Sequence, residues 1–361
     1  VSELRSQDAL LGSTFSADYP KRMQLQSQID SAQHALDQER ERAATRIKDD
    51  YLAADHRETM LRQAFSDAQR DAHARRGNYD LMHVNADYGS AFKRPDKPFV
   101  VTVLHNVFEE SYQRHTTLIQ KAFHFGWLKR RIGRALSAAD RVIAISRSTK
   151  ASIERTFGTR NVEVIYNGID TELFKPLETD AGSEFPGKIR LLFVGNLIKR
   201  KGAELLPAIM EKLGSDYLLV HPSGLRTDSE FGASNIVRRD APSMQDLVRL
   251  YNGCDIFLFP SRLEGFGYAV GEAMACAKPV VCTNASALPE LVVDGEGGFL
   301  CALDDVEDFV ERIRFLGARP ALRQSMGAFN RQRIENYFTV AQMGMAYAKL
   351  YRELLLAKRE G

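Results

Sequence analysis

The chain has 361 residues, 44% hydrophobic and 27% charged, which is enough for two domains with sizeable cores and ordinary for a soluble globular protein. Its formal net charge of +2 gives no bulk electrostatic case for nucleic acid as a partner. No apolar run reaches the roughly 18 residues of a spanning helix, and the opening VSELRSQDALLG does not read as a secretory signal.

Residues 21–76 contain no Gly and no Pro and are rich in Ala, Gln, Arg, Glu and Asp, a helical composition. Apolar residues recur at threes and fours, from Leu25 and Ile29 to Ala68 and Ala72, with a slip near Asp49 and Asp50. Two helices, or one long kinked helix, fit that pattern. The narrow, Ala-rich stripe suits helix pairing, so residues 1–76 are expected to form a helical extension that pairs with itself, a second copy or a partner chain. Strands begin only afterwards. Asp80–Val84 is a short one and Phe99–Leu104 a strong one that runs into His105 and Asn106. Residues 111–139 read as a helix whose apolar face, Leu118, Ala122, Phe125, Ile132 and Leu136, should lie on a sheet. A second cluster, Ile119, Phe123 and Trp127 flanked by Arg130, Arg131 and Arg134, fits either an interfacial membrane contact or an ordinary cationic helix packed on the extension. Strands follow at Arg141–Ser146 and Val162–Ile165, and residues 171–187, with two Pro, two Gly and several acids, read as a linker.

Ile189–Val194 opens a second domain as a strand that is apolar apart from Arg190, followed by the loop GNLIKRKG, Gly195 to Gly202. Strand, Gly, basic loop, Gly and helix is the form of a diphosphate site, with Lys199, Arg200 and Lys201 as fixed cations; a solvated basic loop is the bland alternative. Tyr217–Val220 and Ile236–Arg238 are further strands, and Asn336–Lys358 is helical. The four cysteines, Cys254, Cys276, Cys282 and Cys301, lack metal-ligand spacing and are expected as reduced core thiols of a cytoplasmic protein.

The most telling stretch is FLFPSRLEGFGYAVGEAMACAKPVVCTNASALPEL. A buried strand at Ile256–Phe259 gives way to a glycine turn at Gly265, Phe266 and Gly267, then a helix from Tyr268 to Ala277 and a strand at Pro279–Cys282. Backbone amides at that helix start suit a phosphate. Glu264 and Glu272 bracket the turn, and carboxylates beside an anion cradle make sense if the ligand also carries hydroxyls. Spacing alone equally allows a helix-terminal charge and a solvated face.

This stretch resembles the signature of family 4 retaining glycosyltransferases: Glu264, Gly265-Phe266-Gly267, Glu272 with Ala273-Met274-Ala275, Pro279-Val280-Val281, then Ala287 to Glu290 and the Asp294-Gly295 turn. The resemblance covers about residues 78–355. It implies a GT-B fold, α/β with two Rossmann-like domains facing a cleft: an acceptor-side domain at 77–170, to which a helix at 336–361 returns, and a nucleotide-sugar domain at 188–335. It also leaves the first sheet short of its usual opening strands and glycine-rich loop.

By the same resemblance, Gly195, Asn196, Lys199, Arg200, Lys201, Glu264, Gly265, Phe266, Gly267, Tyr268 and Glu272 would hold the donor. Asn196 stands where the family has a basic residue. Lys201 would meet the diphosphate, Glu272 the ribose and Glu264 the transferred sugar, with His105 facing that sugar from the other domain. The implied activity is transfer of a hexose-type sugar from a nucleotide-diphosphate donor to a saccharide or lipid-linked acceptor, with no cofactor and no metal, either in the cytoplasm or peripherally at the inner membrane face. One alternative is a donor-binding subunit completed by a partner chain. Another is a nucleotide-sugar epimerase of the same fold, against which the paired glutamates argue.

Overall fold

The computed structural model describes residues 79–360 apart from 114–115, 117–120, 122–123, 178–185, 223–230, 232 and 242, and before them residues 20, 23–24, 26–31 and 33. The chain divides into two compact units, Val1–Asn78 and Tyr79–Gly361. The described residues of the first unit are helical, with the short-range bonds of a helix: Gln26 donates to Asp30 at 2.9 Å and Ser31 to the Ser27 carbonyl at 2.8 Å. The rest of the expected helical extension lies outside the described residues.

The second unit holds two parallel sheets. The first has the order β1 (Met82–Asn85), β2 (Phe99–Val103), β3 (Arg141–Ala144), β4 (Val162–Val164). All five residues of β2 are buried, as a Val-rich strand covered on both faces must be. Phe99, Val101 and Val103 face Ile132 and Leu136 of α1 (Lys129–Ala138) and Ile153 of α2 (Arg147–Phe157). Val100 and Ile143 face the other way, onto Leu350 and Leu354 of the final helix.

The second sheet contains β5 (Ile189–Leu192), β6 (Tyr217–His221), β7 (Ile236–Arg238), β8 (Ile256–Phe259), β9 (Val280–Thr283) and β10 (Gly298–Cys301). Its spatial order is β10-β9-β8-β5-β6-β7, and every pairing is parallel. From β5 the chain winds outward to β7, then returns to lie beside β5 with β8 and winds the other way. Such a sheet binds ligands outside the carboxyl ends of the two strands where the winding reverses. Here those are β5 and β8, which lead into the Gly195–Gly202 loop and the Glu264 turn. Helices α3 (Leu206–Leu213), α4 (Met244–Gly253), α5 (Tyr268–Ala275), α6 (Val306–Gly317) and α7 (Pro320–Tyr337) accompany this sheet. All four cysteines are free and buried.

Two expectations need correction. The helix expected at 111–139 is not continuous among the described residues: a turn at Glu110–Gln113 and a π-helical turn at His124–Leu128 precede α1. A π turn adds a residue per turn and slips the helical phase. Ile132 and Leu136 are therefore buried while Phe125 is 47% exposed; Leu118, Ala122, Ile119 and Phe123 lie outside the described residues. The expected terminal helix also breaks before Val340. Phe338 and Val340 bond to Ile169, and Thr339 and Gln342 cap one another, Thr339 N–H to Gln342 Oε1 at 2.9 Å and Gln342 N–H to Thr339 Oγ1 at 3.2 Å. The chain then crosses to the first sheet as α8 (Val340–Glu360).

The seam under α8 carries a buried polar network. His83 Nδ1 lies 2.6 Å from the Tyr351 hydroxyl and Nε2 2.6 Å from Thr102 Oγ1, with the Tyr347 ring beside it. Burial lowers the imidazole's pKa from its ordinary 6.5, so the folded state prefers it neutral. The unfolded chain then takes up more protons on acidification. The contribution of His83 is complete above pH 6.5 and declines as pH falls below it. Urea unfolding at pH 7 and pH 5 should show a smaller acid loss for His83→Gln than for the native chain; equal losses would remove His83 from the account.

Candidate active site

The loops after β5 and β8 meet at the wall of a cavity of about 780 Å³, closed on its far side by residues of the first domain. Gly202, with φ 67°, lets the basic loop turn against the carbonyl of Pro260, which a Cβ there would overlap. Gly265 lies so close to the carbonyl oxygen of Leu104, at the end of β2, that a Cβ would overlap that atom too. These two contacts bring the basic loop, the Glu264 turn and the carboxyl end of the first sheet together.

Lys201 Nζ donates to Glu264 Oε1 at 2.6 Å, and both side chains are largely buried, 16% and 11% exposed. Ser261 Oγ donates to the same oxygen at 2.5 Å, and the Glu264 amide donates to Ser286 Oγ at 2.8 Å. The ammonium also sits 5.1 Å from the centre of the Phe259 ring. Burial lowers the Lys201 pKa, and the Glu264 carboxylate pulls it back up. Arg200 lines the cavity, donates to the Leu263 carbonyl at 2.7 Å and stands 3.8 Å from Glu264.

Glu272 projects from α5 into the same cavity. The fully buried Tyr251 donates to its Oε2 at 2.7 Å, while Oε1 accepts no hydrogen bond from the described residues. Burial raises the Glu272 pKa, against the Tyr251 bond that lowers it. Helix α5 begins after Gly267 with no side chain capping its amides, so the Gly265–Gly267 turn and the start of α5 form an amide-lined edge to the cavity.

His105 faces the cavity from the first domain. Burial against the cleft walls lowers its pKa, with Arg200 adding to that effect and Asp87 and Glu264 opposing it. The cavity thus gathers His105, Gly195, Asn196, Arg200, Lys201, Glu264, Gly265, Phe266, Gly267, Tyr268 and Glu272. Lys199 alone of the expected donor residues is elsewhere: it is exposed and off the cavity wall, because the short 3-10 turn Lys199–Lys201 directs successive side chains apart. Among the described residues no three His, Cys, Asp or Glu side chains are gathered as a metal would require.

Two family models match adjoining parts of the chain: Glycosyltransferase Family 4 over residues 31–173 and Glycosyl transferases group 1 over residues 188–318. Together they place the chain in the family 4 type of glycosyltransferase sequences. The match begins at residue 31, well inside the stretch that the sequence reading leaves outside the resemblance. An uncharacterised glycosyltransferase of Methanocaldococcus jannaschii is 28% identical over 225 residues, 61% of each chain, and the chain spans about three-fifths of the length of such curated relatives. Among solved structures, sucrose-phosphate synthase from Thermosynechococcus elongatus superposes with a TM-score of 0.69 at 23% identity, covering 81% of this chain and 78% of the other. HepE of Anabaena in complex with UDP and glucose superposes with a TM-score of 0.67 at 20% identity, covering 80% and 81%. These neighbours show the GT-B fold of two facing α/β domains.

Within the cavity, sequence reasoning missed the side chains that orient the glutamates. Ser261 precedes Glu264 by the three residues typical of a Ser-x-x-Glu turn, a legible signal. Tyr251 reaches Glu272 from another helix and leaves no local trace. Tyr251→Phe should raise the Glu272 pKa further, because it removes the one bond that lowers it. NMR titration of the Glu272 carboxyl in the two proteins checks it, and an unmoved pKa would show that Tyr251 only packs.

Proposed function

We propose that the chain transfers a hexose-type sugar from a nucleotide-diphosphate donor to a saccharide or lipid-linked acceptor, with retention of anomeric configuration. One observation carries the reading: the Lys201–Glu264 pair and Glu272 share the cavity at the switch point of the second sheet, with His105 opposite. The complex of HepE with UDP and glucose supports a nucleotide sugar as donor. Lys201, Arg200 and the amides of the Gly265–Gly267 turn would take the diphosphate, where negative charge grows as the glycosidic bond breaks. Glu272 would accept from the ribose hydroxyls. Glu264, freed in part from Lys201 by the incoming phosphate, would accept from the sugar's hydroxyls, and His105 would meet the sugar from the first domain. Attack would come from the face that the leaving group departs, with the departing phosphate oxygen taking the acceptor's proton and no side chain acting as nucleophile. Closure between the domains would keep water from the activated sugar.

Exposed Phe125 and Trp127 beside Arg130 and Arg134 support the lipid-linked class of acceptor and a peripheral membrane contact. No described helix is long and apolar enough to cross a membrane. The test is a thermal-shift screen of nucleotide sugars against the purified chain, followed by NMR of the product's anomeric configuration. A raised melting temperature, an α-linked product from an α-linked donor, and activity that survives excess chelator are expected. An inverted product would overturn the retaining assignment. Loss of activity with rescue by manganese or magnesium would overturn the metal-free one. Tight donor binding without turnover would favour the donor-binding subunit.

A further inference from the structure

One carboxylate of the second domain bonds directly to backbone of the first. Glu290 sits on the helical turn Leu288–Leu291 that follows β9. Its Oε2 accepts from the backbone N–H of Arg147 and its Oε1 from that of Ser148, each at 2.8 Å. Those amides open α2, in the first domain, and the Tyr166 hydroxyl donates to Oε2 at 2.8 Å. The side chain of the helix's own N-cap, Ser146, accepts from the Thr149 amide, at 3.0 Å. The two amides before it are thus left for a cap from elsewhere, and a carboxylate there gains both charge-assisted bonds and the helix dipole.

The turn that carries Glu290 is itself held. Arg333 of α7 donates to the Leu291 carbonyl at 2.7 Å and to the Glu290 carbonyl at 2.9 Å. A few residues earlier on the same loop, Ser286 accepts the amide of Glu264 at 2.8 Å. The loop 284–291 therefore ties the backbone of a cavity carboxylate at one end and the first domain's helix at the other. Glu290 is not on the cavity wall and touches neither Lys201 nor His105.

We infer that Glu290 is a positioning residue, a catch that holds the cleft closed and couples closure to the placement of Glu264. In an opened arrangement its carboxylate and the two α2 amides would bond to water instead. The net difference between the states is then small, so the catch is reversible. The kinetic part of this inference rests on the proposed sugar transfer and the distances with UDP on the proposed nucleotide site; the distances without UDP rest on neither.

The test uses the full chain with spin labels at Ser137→Cys and Glu311→Cys, exposed positions in the two domains. Distances are read with and without saturating UDP. The native chain should give one narrow, short distribution with UDP, and Glu290→Ala a broader, longer one at the same saturation. UDP affinity should stay within about threefold, while kcat falls roughly ten- to a hundredfold, as expected for lost charge-assisted bonds. Glu290→Gln, with one acceptor oxygen for two amides, should fall between, and Tyr166→Phe should do less. Should Glu290→Ala lose UDP binding through misfolding, Glu290→Gln and Tyr166→Phe decide by the same distances. Unchanged distance distributions in folded variants would overturn the inference, whatever the activity. Longer distances with an unmoved kcat would overturn the coupling to Glu264.

Discussion

Lys201→Ala should weaken UDP binding about ten- to a hundredfold, the equivalent of one charge-assisted hydrogen bond at ~1.5–3 kcal/mol. Its ammonium is largely buried and aimed by Glu264 at 2.6 Å and by the Phe259 ring, so it is oriented before any ligand arrives. Arg200, 3.8 Å from Glu264, is too far to inherit the contact without rearranging its bond to the Leu263 carbonyl. Glu264→Ala should behave differently, with kcat falling more than nucleotide affinity, because its expected partner is the sugar. Calorimetry with UDP and steady-state kinetics separate the two effects. If both variants kept native affinity and rate, the donor would bind elsewhere.

Gly265→Ala should be the most damaging one-methyl change in the cleft. The added Cβ would overlap the Leu104 carbonyl oxygen and lie 3.2 Å from Ile145 Cδ1, so backbone must give way. Leu104 precedes His105, and the least costly response is for the end of β2 to retreat from the Glu264 turn. A displacement of about 1 Å at reacting groups costs roughly a hundredfold in rate. We expect a kcat lower by that order, UDP affinity within about threefold because the contacts proposed for the nucleotide lie in the second domain, and stability lower by ~1–3 kcal/mol, as for other overpacked sites. A native kcat in this variant would mean that the sheets do not approach so closely during turnover.

The central strands were legible because they are buried on both faces and read as apolar runs: Ile256–Phe259 falls where its run puts it, and Phe99–Val103 ends one residue before the expected Leu104. The glutamate-bracketed turn was legible because its chemistry is local in sequence. What orients that chemistry was not. Tyr251 reaches Glu272, and Glu290 reaches Arg147 and Ser148, across distances in the chain that no spacing encodes. Lys199 was included in the site because adjacent cations look alike in a sequence, whereas a 3-10 turn gives each its own direction. Phe125 was assigned to the core on an α-helical phase that the π turn interrupts. Expectations for residues 34–76 lie outside the described residues.

The return of α8 sets an order of events during synthesis. Val100, Ile143 and Ile165 are made well before Leu350 and Leu354, which cover them. The intervening residues contain every strand of the second sheet, which can close its own core first. Until α8 arrives, the face of the first sheet that it covers stays bare, a state open to capture by chaperones or by other nascent chains. Changes that disrupt α8 should therefore damage the first sheet, made long before it, and not the second sheet that it follows in the chain.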